Sequence, residues 1–352
     1  MALRSVISDP MLKMLAGAVA LAAFLPVGDA GRPIANGVAN AAVFVLFLLN
    51  GMRIARGEIA AGLRNWRFLV PLILWVFGAM ALAGWALEKV GAGLLPSMIA
   101  VGFLYLGALP STVQSATSYT SIAQGNVGMS VISAALLNIL GVFVTVPVFL
   151  LMGGSGEGAI GWETAERIAL ILLLPFAIGQ LIQGWTKPFI ARHQPKIVWI
   201  DRFVIALAVY VAFSGAVEQN IWSRVEPMGW LALAGLVAAF LLVANLGAWF
   251  LGGALRLPHG DRVSFLFAGA QKSAAVGVQL ATILFAPDVA GFVVVPLLLY
   301  HLFQLVVAAP VADRLRRMGA KCPARYRCRH ICDCAGSTSR AKSRSKSHPT
   351  AR

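Results

Sequence analysis

One lysine and two polar stretches stand out in an otherwise apolar chain. Lys272 sits in SFLFAGAQKSAAVGVQLATILFAP (264–287), with long apolar runs on both sides. A cation at the centre of a bilayer costs about 2.5–3.5 kcal/mol on insertion scales, so it is kept for a role and faces protein or a water-filled cavity. Gln271 and Ser273 flank it. The second stretch, ALPSTVQSATSYTSIAQGNV (108–127), carries Ser111, Thr112, Gln114, Ser115, Thr117 and Ser118 directly after an apolar run. So many hydroxyls and amides are costly against lipid and belong at an interior surface. Pro110 removes a backbone donor and disturbs the turn before it, so the helix is expected to unwind there. This chemistry is binding and charge placement. No P-loop, HExxH or GxSxG elbow is present to support ATP-driven pumping, metallohydrolysis or acyl transfer, so no enzyme and no cofactor is expected.

The elements that must position these residues follow from composition. The 352 residues are 59% hydrophobic and 12% charged, half the charged share of a soluble protein. An α-helix rises ~1.5 Å per residue, so ~20 apolar residues span the hydrocarbon core. That ruler gives ten spans, at about 11–27, 34–52, 68–87, 94–123, 127–152, 165–185, 200–216, 228–252, 264–286 and 289–311, the fourth and ninth broken. The expected fold is an all-α polytopic membrane protein of two inverted five-helix repeats, with halves at about 11–152 and 165–311. The two interrupted segments echo each other, Gln114-Ser115-Ala116 against Lys272-Ser273-Ala274, at matching places in the halves. In such folds broken helices meet near the midplane and build the site.

Orientation follows from the basic residues. Loops after spans 2, 6 and 8 hold Arg53, Arg56, Arg64, Arg67, Lys187, Arg192, Lys196, Arg202, Arg256 and Arg262, whereas the loops opposite hold only Arg32, Lys89, Arg167 and Arg224. Positive residues stay inside, which puts both termini in the cytoplasm of a multi-pass protein, expected in a bacterial inner (plasma) membrane. The segment 312–352 supplies +10 of the net charge of +15 and all four cysteines. Its Arg/Lys/Ser composition without hydrophobic periodicity reads as a disordered cytoplasmic tail lying on anionic lipid rather than on nucleic acid. Its Cys322, Cys328, Cys332 and Cys334 do not have zinc-site spacing. Oligomeric state is not legible.

On these residues the chain resembles the bile acid:sodium symporter superfamily, in its SBF-like branch. The resemblance covers Met11 to Arg317 and is carried by ALPSTVQS (108–115), with support from LFLLNGMRI (46–54), NWRF (65–68), DRFVIALAVYVAFSGAV (201–217) and GAQKSAAVGVQLATILF (269–285). It implies ten helices in a panel and a core domain, crossing broken helices, and alternating-access transport of a small organic anion, often with sodium. Bile acids, pantoate-like acids and sulfated compounds are within the superfamily's reach. By family position it adds Asn126 and Ser130 to the candidate substrate and ion site. Three departures concern sodium. Phe267 stands where the sodium-binding branch has an acidic residue, Ala134 replaces a threonine, and Thr117 replaces an amide.

Lys272 itself admits three readings: a built-in positive charge in a former cation site, an attractor of an anionic substrate, or a proton carrier through a burial-lowered pKa. His301 and Gln304, at i and i+3, either line a cavity or make an interhelical contact. A secondary symporter-like carrier fits all of this. An uncoupled facilitator or channel, and a membrane regulatory protein without transport, are the alternatives.

Overall fold

The computed structural model describes residues 10–28, 30–53, 65–153, 170–171, 174–219 and 225–320. They form eleven helices. These are α1 Pro10–Phe24, α2 Arg32–Arg53, α3 Trp66–Gly91, α4 Ser97–Ala108, α5 Val113–Ile122, α6 Val127–Leu151, α7 Leu174–Glu218, α8 Pro227–Ala254, α9 His259–Ala270, α10 Ala274–Leu284 and α11 Pro287–Ala320. Among the described residues there is no strand, and six helices are long and apolar enough to cross a membrane. The start of the expected sixth span and the segment 321–352 lie outside the described residues.

Both expected interruptions are present. Leu109 is extended (φ −71°, ψ 150°), the conformation that a following proline imposes, so α4 stops at Ala108 and the chain re-enters a helix at Val113. The second break has no proline. Gln271 (φ −84°, ψ 126°) and Ser273 (φ −83°, ψ 101°) are extended between α9 and α10, and contacts from elsewhere must hold them so.

The separate sixth and seventh spans differ from expectation. Helical backbone continues over the 45 residues of α7, past Pro188 and Pro195, neither of which can donate a backbone hydrogen bond. A straight helix of that length would reach ~68 Å, over twice the hydrocarbon thickness. It is not straight. The Gln180 side chain donates to the Gly51 carbonyl at 2.7 Å, and Asp201 pairs with Arg53 two residues on. Residues 180 and 201 therefore both lie beside one end of α2, although a straight helix would separate them by ~30 Å. α7 is two arms joined by a sharp bend in the proline-bearing stretch, where prolines kink a helix. The polar residues there, read as a loop, are also good helix formers, which is why the helical pattern continues.

α1 and α2 lie against α7, which in turn packs on α11; α3 packs on α4, α8 on α9, and α11 also against α4. Glycines permit the closest approach. A Cβ on Gly107 would fall 2.6 Å from the Met80 carbonyl of α3 and 3.1 Å from Gly84 Cα, so the backbones of α3 and α4 touch at a small-residue seam. This contact puts the end of α4 beside the middle of α3.

Candidate functional site

The two breaks meet. Ser111 and Lys272 form an isolated antiparallel bridge, and the Ser273 amide donates to the Pro110 carbonyl at 3.0 Å. Gln304 of α11 clamps the second break from the other side. Its Oε1 accepts from the Lys272 amide at 2.8 Å, and its Nε2 donates to the Lys272 carbonyl at 3.1 Å. One side chain thus does what a neighbouring strand would do, which explains an unwound segment without proline. Tyr300 Oη caps the Ala270 carbonyl at 2.6 Å and Tyr105 Oη the Gly277 carbonyl. His301 Nδ1 lies 2.9 Å from Gln304 Nε2, so the pair combines both expected roles: Gln304 is structural, while His301 borders the cavity described below.

The Lys272 side chain is fully buried. Its ammonium donates to three backbone carbonyls, Leu109 at 2.7 Å, Gly107 at 2.8 Å and Val76 at 3.1 Å. A lysine has three N–H donors and no acceptor, so every proton is used. Two acceptors belong to the broken end of α4, where unpaired carbonyls and the negative helix-dipole end favour a cation. The third has a different origin. Residues Leu74–Ala79 within α3 form a π-helical turn, and the Met80 amide reaches back five residues to Trp75 rather than four to Val76. The Val76 carbonyl is thereby released to Lys272, a use of a π-bulge at a site that fits its usual occurrence. Among the described residues no carboxylate bonds this ammonium, and no cluster of His, Cys, Asp and Glu suited to a metal occurs.

Beside the junction lies a cavity of about 620 Å³. Thr112, Gln114, Ser115, Ser273, Gln279 and Asn138 border it on one side, and Leu46, Phe47, Phe176 and Ile205 on the other; Arg53, Asp201 and Arg202 stand at one end. Past the opposite end, a space of only about 20 Å³ separates Asn36 and Asn40 of α2 from Thr282 of α10. There a Cβ on Gly291 would collide with the Ala212 carbonyl and Ala216 Cβ. The large cavity ends against a tightly packed seal on the side away from the arginines.

The expected site residues divide accordingly. Ser111, Gln271, Lys272 and Ser273 form the junction, with Ser115 Oγ donating to Gln271 Oε1 at 2.9 Å. Thr112, Gln114, Ser115 and Ser273 line the cavity. Thr117 is part-buried with an unpartnered Oγ1, and Ser118 is exposed; neither borders the cavity. Asn126 and Ser130 lie elsewhere. Asn126 caps α6, accepting from the Met129 amide at 3.1 Å, and its Nδ2 donates to Asp261 Oδ1 at 2.7 Å. Ser130 Oγ accepts from Thr120 Oγ1 at 3.2 Å. Asp261 and Lys272 are eleven residues apart along α9 and its extension, roughly 16 Å at helical rise. Phe267 is buried against Tyr119, ring centroids 5.8 Å apart, so an aromatic pair occupies the position where the resemblance looks for a carboxylate. Val76, Arg53, Arg202 and Gln279 were not anticipated. The only sequence signal was their polarity or charge near a span end, and Val76 gave none.

Sequence comparison finds relatives of this chain among known proteins. The model of the SBF-like CPA transporter family matches residues 9–317. An uncharacterized protein of Pseudomonas aeruginosa is 36% identical over 313 residues, covering 88% of this chain and 93% of its own. A provisionally named symporter of Escherichia coli (strain K12), YfeH, is 36% identical over 318 residues, covering 88% and 94%. Sodium/bile acid cotransporter 7 of Mus musculus is 22% identical over 289 residues, covering 79% and 83%.

Proposed function

The chain belongs to the SBF-like CPA transporter family, and from that premise we propose that it is a secondary active carrier of a small organic anion in which Lys272 is the resident cation of the crossing point. It is an integral membrane transporter with no enzymatic role. Ten crossings in two inverted halves account for the helix order: α7 supplies two through its bend, and α4–α5 and α9–α10 are the broken pair. The large cavity then opens to the cytoplasm, where the arginine-rich end belongs by the positive-inside rule. Alternating access proceeds by movement of the α1–α2–α7 group against the broken helices, closing the cavity and opening the seam at Gly291.

The observation that carries the reading is the saturated ammonium. With all three protons on carbonyls, Lys272 has no donor left for a substrate, which favours the fixed-charge role over direct capture of an anion. It neutralises the helix end that a bound cation would otherwise stabilise, so no sodium ion is required at that position. The anion is received by Arg202 and Arg53 at the cavity mouth. Arg53 is already paired with Asp201, leaving Arg202 as the net charge. The symporter and cotransporter names of the relatives support coupled transport of small solutes as the general class.

Counterflow in proteoliposomes tests this. Vesicles loaded with unlabelled pantoate, cholate or 4-nitrophenyl sulfate should transiently accumulate the same labelled anion from outside. Absence of counterflow for all three with folded, inserted protein would refute the carrier reading, and accumulation-free equilibration would indicate a channel.

A further inference from the structure

The cavity wall on α10 extends as far as Gln279; one turn further, Thr282 already borders the small space at the seal. Gln279 therefore stands where the cavity stops. Its side chain is fully buried, and neither Nε2 nor Oε1 has a hydrogen-bond partner among the described residues. Turning the amide over merely exchanges its two ends, so the deficit does not depend on which end is oxygen. The nearby Thr282 hydroxyl does not help, since it donates to the backbone carbonyl of Gln279 at 2.8 Å. On α6, Asn138 borders the same cavity with an Oδ1 that also lacks a donor. A buried amide left unpaired is destabilising, and an apolar residue of similar shape would remove the penalty. The amide is buried in this conformation although its side chain borders the cavity.

The missing partners define a ligand chemistry. Gln279 Oε1 and Asn138 Oδ1 need donors, and Gln279 Nε2 needs an acceptor. A carboxylate or sulfate only accepts, so it could satisfy one of the three. A hydroxyl both donates and accepts. The apolar wall of Leu46, Phe47 and Ile205 lies between this end and Arg202.

We propose that Gln279, together with Asn138, selects substrate by a hydroxyl group carried on an apolar body, so that this carrier takes hydroxylated organic anions and rejects their hydroxyl-free counterparts. This rests on the cavity being the substrate site and narrows the class of substrate. A site built to bond a hydroxyl rejects the analogue lacking it far more strongly than an apolar pocket rejects a methylene.

The test is binding to purified full-length protein in detergent, followed by tryptophan fluorescence and thermal unfolding. Two pairs are used: pantoate against 3,3-dimethylbutyrate, and cholate against 5β-cholanate. The wild type should bind at least one hydroxylated probe, and bind it ten-fold or more tightly than its partner. Gln279→Leu should reduce that preference to under three-fold while leaving the hydroxyl-free probe unaffected, and the ligand-free variant should melt no lower than the wild type. Equal affinity within both pairs, no binding of either hydroxylated probe, or a preference retained in Gln279→Leu would overturn the proposal. So would a clear fall in the melting temperature of that variant, because the amide would then be structural. Binding with the expected preference but no counterflow would defeat only the carrier reading, and counterflow without the preference would defeat only this one.

Discussion

Lys272→Ala is the most informative single change. The ammonium occupies a cage of three carbonyls, each between 2.7 and 3.1 Å away, and its removal leaves those oxygens buried and unpaired. An orphaned buried acceptor costs about 1–3 kcal/mol, so three left together cost on the order of 3–5 kcal/mol once partial relaxation is allowed for. With an unfolding entropy of about 2.1 cal/mol/K per residue, the 276 described residues convert that loss into a fall of about 5–9 °C in melting temperature. The space left by the side chain is lined by the same oxygens, a set of ligands suited to a hard monovalent cation. Sodium or potassium should then recover stability in the variant. A free ion at 100 times its dissociation constant contributes about 2.7 kcal/mol, or about 5 °C on the same scale. Lys272→Met fills the volume without charge and should fall without recovering. The assay is thermal unfolding in detergent, with N-methylglucamine chloride as the ionic-strength control. A wild type whose melting temperature rises specifically with sodium, or a Lys272→Ala protein as stable as wild type without the ion, would refute the reasoning.

Two further changes probe the junction and the seal. Gln304→Glu keeps an acceptor for the Lys272 amide but loses the donor to its carbonyl; a buried unpaired carbonyl costs about 1–3 kcal/mol, and transport measured by counterflow should fall at least ten-fold with the protein still folded. Gly291→Val inserts a branched side chain where even a Cβ would collide with α7. It should hold the seam open, so that a cysteine placed at Asn40 becomes labelled by a membrane-impermeant maleimide several-fold faster than in the otherwise unchanged chain. An unaltered labelling rate would contradict the assignment of that seam as a gate.

Much of the site was legible because lipid makes polarity expensive. A lone lysine within apolar sequence and a hydroxyl-rich stretch after Pro110 could not be placed against hydrocarbon, and both breaks are where those residues put them. The second break was anticipated from Lys272 itself, although what holds it is Gln304, 32 residues away. Four features could not be read in advance. The π-bulge that frees the Val76 carbonyl lies in LWVFGA, an apolar hexamer with no residue that marks a change of helical pitch. The bend of α7 was expected as a loop because charged residues and two prolines interrupt hydrophobicity, whereas the helical backbone resumes past each proline at the loss of one hydrogen bond. Asn126 and Ser130 were assigned to the site by family position alone. They lie in a polar seam with Asp261 and Thr120, and Asp261 is about three helical turns from Lys272. Gln279 is a single amide in an apolar helix, and its isolation is visible only once its neighbours are known.

The account turns on whether Lys272 replaces a travelling cation. The direct measurement is the charge moved per turnover, recorded as current on a solid-supported membrane after a jump of the transported anion, with sodium present and with N-methylglucamine in its place. A fixed ammonium predicts movement of net negative charge, unchanged in size and sign when sodium is removed. A positive charge movement, or a current that disappears without sodium, would contradict it.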